Sequence, residues 1–326
     1  MIVIRLRSLG DTILITPALR LLKRFRPDLS ITVVIENSLV SVLEGNPDIS
    51  SVIAVDRKWG SVVNALTQIR RCQPALCLNL HGGPSSTWMT GASGAKFKAG
   101  FVHFRPEFLY NVRIPRAQQI LGRADGQVVH TAEHHASAMF FLGVPKTTIP
   151  RAILIATPDR SDVTYAVVHV GATYNTKRWP ADYFLELGHF LRKNCMIEPI
   201  IVVGPGQEKL LDGFTGFTCR KRLTLNQLKN LLAGAALFVG NDSGPAHMAA
   251  ALGIPAVVIF GSSNSSVWRP WKVNHEVIET HWDCKPCPGD RCYAFEEPHC
   301  ILSVELVDVE AAISRLCTTG AVGSKS

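Results

Sequence analysis

A polar stretch between two apolar runs contains residues that could do chemistry. Residues 239–263 read VGNDSGPAHMAAALGIPAVVIFGSS. The pattern predicts a helix that begins near Gly244, because the proline that follows is tolerated in a first helical turn. The N–H groups near Ser243 would lie at the positive end of the helix dipole and could bind a polyanion. In the alternative interpretation Asp242 or Ser243 is only a helix cap, and His247 is a packed or exposed histidine.

Two further strand ends carry side chains with useful chemistry. In RLRSLGDTILITPAL, residues 5–19, Asp11 follows the first predicted strand and could act as a general base toward a hydroxyl. Aspartate is equally suited to cap the helix that follows. In HVGATYNTKRWP, residues 169–180, the hydroxyl of Thr173 and the ammonium of Lys177 precede a helix and could hold phosphate. The alternative for this segment is a solvated loop with a surface lysine.

The elements that must position these residues alternate short β-branched runs with helical patterns, which indicates parallel βαβ units. Ligands bind at the carboxyl ends of the strands in such sheets, and all three segments follow a predicted strand. The polar stretch at 156–163 is the predicted domain link. The predicted strands are 2–6, 31–36, 51–56, 75–80, 165–170, 198–204, 236–240 and 255–261, and the main predicted helices are 12–26, 130–144, 180–193 and 304–317.

The composition is that of a globular protein. The uneven distribution of its charge indicates an anionic partner for the first half of the chain. The chain has 326 residues, enough for two domains, and 47% of them are hydrophobic. Residues 1–163 contain 19 basic and 11 acidic residues, which accounts for the whole net charge of +8. The sequence has no run of 18 apolar residues, so we expect no membrane-spanning helix. The start, MIVIRLRSLG, predicts a strand rather than a secretion signal, so we expect no export.

Several common motifs are missing from the sequence. It contains no G-x-G-x-x-G after a strand, no G-x-x-x-x-G-K-[ST] and no G-x-S-x-G. Their absence argues against a nicotinamide dehydrogenase, a P-loop NTPase and an α/β-hydrolase.

Cysteines and histidines give two open alternatives. The segment 281–300 spaces Cys284, Cys287, Cys292 and Cys300 so that only the first pair fits a usual zinc pattern. Structural zinc, a disulfide and buried or reactive free thiols all remain open, although reduced thiols are the default in a chain without a secretion signal. The histidines at 130, 134 and 135 share one predicted helix, and we expect them to pack or face solvent rather than bind metal.

The three segments, taken in order, resemble one known family. The combination of GD followed by TPAL, then GA and KRWP, then NDSGPAH resembles the ADP-heptose:lipopolysaccharide heptosyltransferases of glycosyltransferase family 9, from residue 2 to about residue 317. The resemblance implies a GT-B fold, in which two Rossmann-like, doubly wound parallel-sheet domains face a cleft. Residues 1–160 would be the acceptor-side domain carrying the base, and residues 161–326 the domain that binds the nucleotide-sugar donor.

The resemblance also implies an inverting, metal-independent transfer of heptose from ADP-heptose to the inner core of lipopolysaccharide. Asp11 matches the catalytic aspartate of the family. A family threonine falls on Ala172, so one phosphate contact is expected to be missing. The matching donor residues are Thr173 and Lys177 for phosphate, Glu208 for ribose, Leu223 for a backbone contact to adenine, Asp242, Ser243 and Gly244 for sugar and phosphates, and His247 in the following helix.

Partners and location follow from the same resemblance. We expect an ADP-heptose donor, an anionic lipid-linked acceptor (lipid A–Kdo or a core heptose), no cofactor, and a cytoplasmic enzyme that lies peripherally on the inner face of the cytoplasmic membrane. No aromatic-basic module supports nucleic-acid binding. The alternatives are a glycosyltransferase with another nucleotide sugar or glycan acceptor, and a non-catalytic nucleotide-binding α/β protein.

Overall fold

The computed structural model describes residues 1–318, which fold into two α/β units. One unit extends from Met1 to Ile155 and the other begins at Ala156. The boundary lies five residues before the predicted one, at the start of the polar stretch 156–163. Each unit contains one six-stranded sheet in which all strand pairs are parallel. The predicted pair of α/β domains with parallel sheets is therefore confirmed.

The first unit has its sheet in the order β3-β2-β1-β4-β5-β6. Its strands are β1 (Ile2–Ile4), β2 (Thr32–Glu36), β3 (Ser51–Val55), β4 (Leu76–Asn79), β5 (Phe97–Phe101) and β6 (Val112–Ile114). Its helices are α1 (Leu9–Leu14), α2 (Thr16–Phe25), α3 (Val40–Leu43), α4 (Trp59–Arg71), α5 (Pro84–Gly91), α6 (Ala117–Leu121) and α7 (Thr131–Phe141).

The second unit has its sheet in the order β12-β11-β10-β7-β8-β9. Its strands are β7 (Tyr165–His169), β8 (Glu198–Val202), β9 (Thr218–Arg220), β10 (Leu237–Asn241), β11 (Ala256–Phe260) and β12 (His275–Glu279). Its helices are α8 (Ala181–Asn194), α9 (Leu225–Gly234), α10 (Gly244–Leu252), α11 (Ser265–Trp268), α12 (His299–Leu302) and α13 (Leu306–Thr318), with single 3-10 turns at Asn175–Lys177 and Glu208–Leu211.

Both sheets reverse their strand order between the first and fourth strands of the unit. In the first unit this point lies between β1 and β4, and in the second between β7 and β10. Such topological switch points open a crevice at the carboxyl ends of the strands, where α/β proteins bind ligands. The segments that contain Asp11, Lys177 and Asp242 directly follow β1, β7 and β10, so the fold places each of them at a switch point.

The predicted helix at 12–26 is interrupted. The structure has α1 and α2 instead, with Ile15 between them and Pro17 in the first turn of α2. Proline has no N–H to donate to the preceding turn, and its ring crowds the carbonyl four residues earlier. The hydroxyl of Thr16 donates to the carbonyl of Ile13 at 2.8 Å at the break.

Apolar side chains fix each sheet against its helices. In the first unit Ile2, Ile4 and Val34 pack with residues of α4 and are almost fully buried. In the second, the indole of Trp179 is fully buried, donates to the carbonyl of Val304 at 2.9 Å and meets Phe184 edge-on. This packing fixes the segment that carries Lys177. Within residues 1–318, no helix combines the length and the apolar character needed to cross a bilayer.

Candidate active site

Asp11 lies in the first turn of α1 but is not its N-cap. Ser8 occupies the cap position, and Asp11 is the third helical residue. The Oδ2 atom of Asp11 accepts hydrogen bonds from the backbone N–H of Ser8 at 3.3 Å and from its hydroxyl at 3.0 Å. An acidic residue at this position suits the positive end of the helix dipole, so part of the capping alternative holds for this carboxylate.

The other oxygen of Asp11 forms an ion pair with Arg5. The Oδ1 atom contacts one terminal nitrogen of the guanidinium, and both side chains are only slightly exposed, at 11% for Arg5 and 13% for Asp11. Nearby, burial together with the charges of Arg5 and Arg7 lowers the pKa of His81. His81 is therefore a neutral ring at neutral pH.

A cavity of about 310 Å³ lies at the carboxyl ends of the first four strands. Its wall combines two cations, Arg7 and Arg57, with two carboxylates, Glu36 and Asp56, and the ring of His81. Glu36 and Arg57 form a long ion pair of 3.4 Å. The sequence analysis did not single out these residues, because they come from four separate loops and share no motif.

Lys177 and Asp242 form the charged centre of the second switch point. The ammonium of Lys177 lies 2.9 Å from Oδ2 of Asp242, and the hydroxyl of Ser263 donates to the same oxygen at 2.6 Å. The Asp242 side chain is 6% exposed and that of Lys177 is 26% exposed, so the lysine keeps an accessible face. The structure thus brings together two predicted residues that are 65 positions apart in the sequence.

Asn241 joins the two loops of this switch point and was missed by the sequence analysis. Its Oδ1 accepts from the backbone N–H of Trp179 at 3.0 Å, and its Nδ2 donates to the carbonyls of Val170 and Gly171, each at 3.2 Å. The side chain is fully buried. It therefore links the end of β10 to both ends of the loop that carries Lys177. The asparagine is part of NDSGPAH, but its neighbours there resemble an ordinary turn, which hides this role.

The first turn of α10 has no hydrogen bond from a capping side chain. Ser243 occupies the N-cap position, but its hydroxyl donates to the carbonyl of Asn241 at 3.1 Å instead of accepting from an amide of the helix. The capping alternative is therefore wrong for this side chain. Gly244 is the first helical residue, and His247, 5% exposed, lies edge-on to Trp268 with ring centroids 6.3 Å apart.

The remaining predicted donor residues occupy loops that follow β7, β8 and β9. Thr173 is exposed, and the carbonyl of Ala172 accepts from Gln207 at 2.6 Å and from Arg178 at 3.0 Å. Glu208 pairs with Arg222 at 3.0 Å.

Hydrogen bonds from backbone N–H groups and from Arg222 lower the pKa of Glu208. Leu223 directly follows this arginine and is partly exposed. Glu208 and Leu223 are therefore on neighbouring loops.

The four clustered cysteines line one small cavity. Cys284, Cys287, Cys292 and Cys300 surround a space of about 140 Å³ that also touches Thr176 and Ser262, and all four are free thiols. Burial raises the pKa of the Cys300 thiol. In the described part of the chain, no three or more His, Cys, Asp or Glu side chains are grouped so that they could hold a metal ion.

The histidines of α7 have structural contacts. His130 is the N-cap, and its Nδ1 accepts from the N–H of Ala132 at 3.1 Å. His134 stacks on Phe101 with ring centroids 4.1 Å apart, and burial lowers its pKa to about 4. Burial also lowers the pKa of His135 well below its usual value.

Comparisons with known proteins identify the family of this chain. The family model of glycosyltransferase family 9 (heptosyltransferase) matches residues 63–295. Lipopolysaccharide heptosyltransferase 3 of Escherichia coli (strain K12) is 24% identical over 303 residues, which cover 82% of this chain and 84% of that protein. The glycosyl transferase family 9 structure from Veillonella parvula DSM 2008 is similar with a TM-score of 0.84 and 21% identity, over 98% of this chain and 97% of that one.

The solved E. coli heptosyltransferase WaaC with ADP-2-deoxy-2-fluoro heptose is similar with a TM-score of 0.70 and 19% identity, over 98% of this chain and 99% of that one. These two structures share the fold of this chain. The family model spans more than half of the sequence, and its match includes the loop of Lys177 and the NDSGPAH segment. The chain is therefore a glycosyltransferase and belongs to family 9, the heptosyltransferase family.

Proposed function

We propose that this enzyme transfers heptose from ADP-heptose to the inner core of lipopolysaccharide, with inversion at the anomeric carbon and without a metal ion. The observation that carries the proposal is the Lys177–Asp242 pair beside the uncapped start of α10. Family membership supports heptose transfer, and the names of the relatives, lipopolysaccharide heptosyltransferase 3 among them, support this acceptor class.

The second unit would bind the donor. The ammonium of Lys177 and the N–H groups near Ser243 and Gly244 offer positive charge to the diphosphate, and Thr173 adds an exposed hydroxyl. The leaving ADP gains negative charge as the glycosidic bond breaks, and fixed positive groups stabilise that charge most in the transition state. These groups can play the part that a divalent cation plays in other transferases.

The other donor residues would bind the rest of the molecule. The carboxylate of Glu208 would accept hydrogen bonds from ribose hydroxyls, in exchange for its present contact with Arg222. Leu223 would present its backbone to adenine. Asp242 and His247 would contact the heptose and phosphates, with Asp242 oriented by Ser263.

The first unit would bind the acceptor and supply the base. Asp11 would take the proton of the attacking hydroxyl, and inversion follows because a base-assisted attack enters on the face opposite the leaving group. The cavity of about 310 Å³ would hold the acceptor sugar, with Arg7 and Arg57 available for its carboxylate or phosphate groups.

The proposed acceptor is anionic and lipid-linked, either lipid A–Kdo or a core heptose. The first 163 residues hold the whole excess of positive charge, which would attract both the acceptor and the anionic inner leaflet. We therefore propose that the enzyme works in the cytoplasm, peripherally on the inner face of the cytoplasmic membrane.

A mass-spectrometric transfer assay tests the proposal. With ADP-heptose and defined lipid A–Kdo or heptosylated acceptors, we expect the acceptor mass to rise by one heptose unit, at a rate that EDTA leaves within about twofold. The anomeric configuration of the product, compared with that of the donor by NMR, tests inversion. A panel of other nucleotide sugars is the control. Turnover with one of these and not with ADP-heptose would contradict the proposed donor.

A further inference from the structure

Arg5 occupies an anchored position in the middle of the first sheet. It follows β1, and its backbone N–H donates to the carbonyl of Val34 in β2 at 3.0 Å. Its guanidinium donates to the carbonyl of Leu80, just after β4, at 2.5 Å. Leu80 is itself tied to β1, because its N–H donates to the carbonyl of Ile4 at 3.0 Å. Arg5 is thus attached to both strands that flank β1.

This anchoring determines where the second terminal nitrogen of Arg5 lies. A guanidinium is planar and rigid, so a bond from one terminal nitrogen to Leu80 fixes the position of the other, which contacts Oδ1 of Asp11. The Oδ2 atom is held by the N–H and hydroxyl of Ser8. Arg5 and Ser8 therefore each hold one oxygen of the carboxylate, and Arg5 is itself fixed to the sheet.

The Arg5–Asp11 pair differs from the other ion pairs of the first unit. The partners of Arg26–Asp28 are 55% and 65% exposed, so water competes for both. The Arg5 pair is almost enclosed, and the Nε atom of Arg5 is buried without a hydrogen-bond partner. A buried donor without a partner costs free energy. Despite this unfavourable free energy, the side chain directs its terminal nitrogens to Leu80 and Asp11.

We propose that Arg5 is a positioning residue for the base of the transfer reaction: held by the carbonyl of Leu80, it orients the carboxylate of Asp11 so that Oδ2 can receive the proton of the acceptor hydroxyl. The inference rests on the proposed function, in which Asp11 is the base. Arg5 itself touches neither donor nor acceptor and acts only through Asp11.

The test compares Arg5→Met, Arg5→Lys and the matched surface control Arg26→Met in the full chain. The measurements are kcat and KM for ADP-heptose, ADP affinity by calorimetry and the thermal midpoint. For Arg5→Met we expect kcat to fall about 10- to 100-fold, since small misplacements of a reacting group cost that much, while ADP affinity stays within about twofold.

Arg5→Lys should recover part of the loss. It keeps the charge but loses the planar fork, so kcat should remain several-fold below wild type. Arg26→Met should match the wild type in every measurement. If Arg5→Met fails to fold, Arg5→Lys decides alone: a wild-type kcat in that variant overturns the proposal.

Other outcomes separate this proposal from the proposed function. An Arg5→Met enzyme with kcat within twofold of wild type overturns the positioning role. A loss of kcat accompanied by an equal loss of ADP affinity also overturns it, because the effect would then be general. Wild-type activity in Asp11→Asn would instead remove Asp11 as the base, whatever the Arg5 variants do.

Discussion

Asp11 and Lys177 are each held by a partner of opposite charge, and the partner determines what each can do. Arg5 pairs with Asp11 in the first unit, and Asp242 pairs with Lys177 in the second. A carboxylate held by a cation is fixed in place, whereas a paired lysine with an accessible face can turn to an incoming phosphate. We propose separate tasks for the two residues, and substitutions should separate them experimentally.

Asp11→Asn should abolish transfer and spare nucleotide binding. The amide cannot accept the hydroxyl proton, and loss of a general base costs about 10²- to 10⁴-fold in rate. Asp11 belongs to the first unit and the Lys177 centre to the second, so we expect ADP affinity within about twofold of wild type. Turnover and ADP calorimetry give the two readouts, with the exposed Asp28→Asn as the matched control. Full transfer activity in Asp11→Asn would rule out this residue as the base.

Lys177→Met should show the opposite pattern in binding. The substitution removes the cation beside the diphosphate and leaves Asp242, 6% exposed, without its ion-pair partner. A charge-assisted contact to phosphate contributes about 1.5–3 kcal/mol, so we expect ADP affinity to fall about 10- to 100-fold. Calorimetry with ADP measures this, and Lys193→Met, on the exposed end of α8, is the control. Unchanged ADP affinity would contradict the assigned contact.

At the scale of elements, the donor residues depend on how the loops after β7, β10 and β11 are tied together. Asn241 links the first two through three hydrogen bonds. After β11, the N–H of Ser262 donates to the carbonyl of Thr176 at 3.1 Å, next to Lys177. Each loop begins at a buried strand and is bonded to a neighbouring loop, so the position of Lys177 is set by the sheet rather than by its own turn.

Gly261→Ala tests this dependence on close packing. A Cβ atom at Gly261 would lie 2.0 Å from the carbonyl oxygen of Thr176 and 3.0 Å from Cβ of Ile301. The backbone beside Lys177 would have to move, and overpacking of this kind costs about 1–3 kcal/mol of unfolding free energy.

We therefore expect Gly261→Ala to lower both the denaturation midpoint and ADP affinity. Gly213→Ala is the control, because a Cβ there meets no atom within 4 Å. Equal behaviour of the two variants in denaturant titration and ADP calorimetry would show that the loop is not held by this contact.

At the scale of the whole molecule, the two units share one sheet topology but carry different residues at their switch points. Both sheets have the switch point between their first and fourth strands, but the first carries a carboxylate paired with arginine and the second a lysine beside an uncapped helix. The charge is also unequal, since the excess of +8 lies within residues 1–163. The two switch points therefore differ in their chemistry, which agrees with the proposal that one unit binds the acceptor and the other the donor.

The sequence alone determined the alternation of strands and helices, the family resemblance and the three loops with polar residues. These are local features, because they follow from the spacing of hydrophobic residues and from the residue types found in turns. Pro17 also made the break in the first long helix predictable, and the prediction of one continuous helix was wrong. The inner strand β5 and the edge strands β6, β9 and β12 were missed because short or partly exposed strands carry a weak pattern.

Only the tertiary structure decided which polar residues meet. Lys177 and Asp242 are 65 residues apart, and Arg5 reaches Leu80 across 75. Those contacts exist because the strand order makes β1 a neighbour of β4 and β7 a neighbour of β10, which no local pattern encodes. Asn241 likewise resembles a turn residue until the sheet brings Trp179, Val170 and Gly171 around it. Residue type indicated the available chemistry, whereas strand order decided which groups hold one another in place.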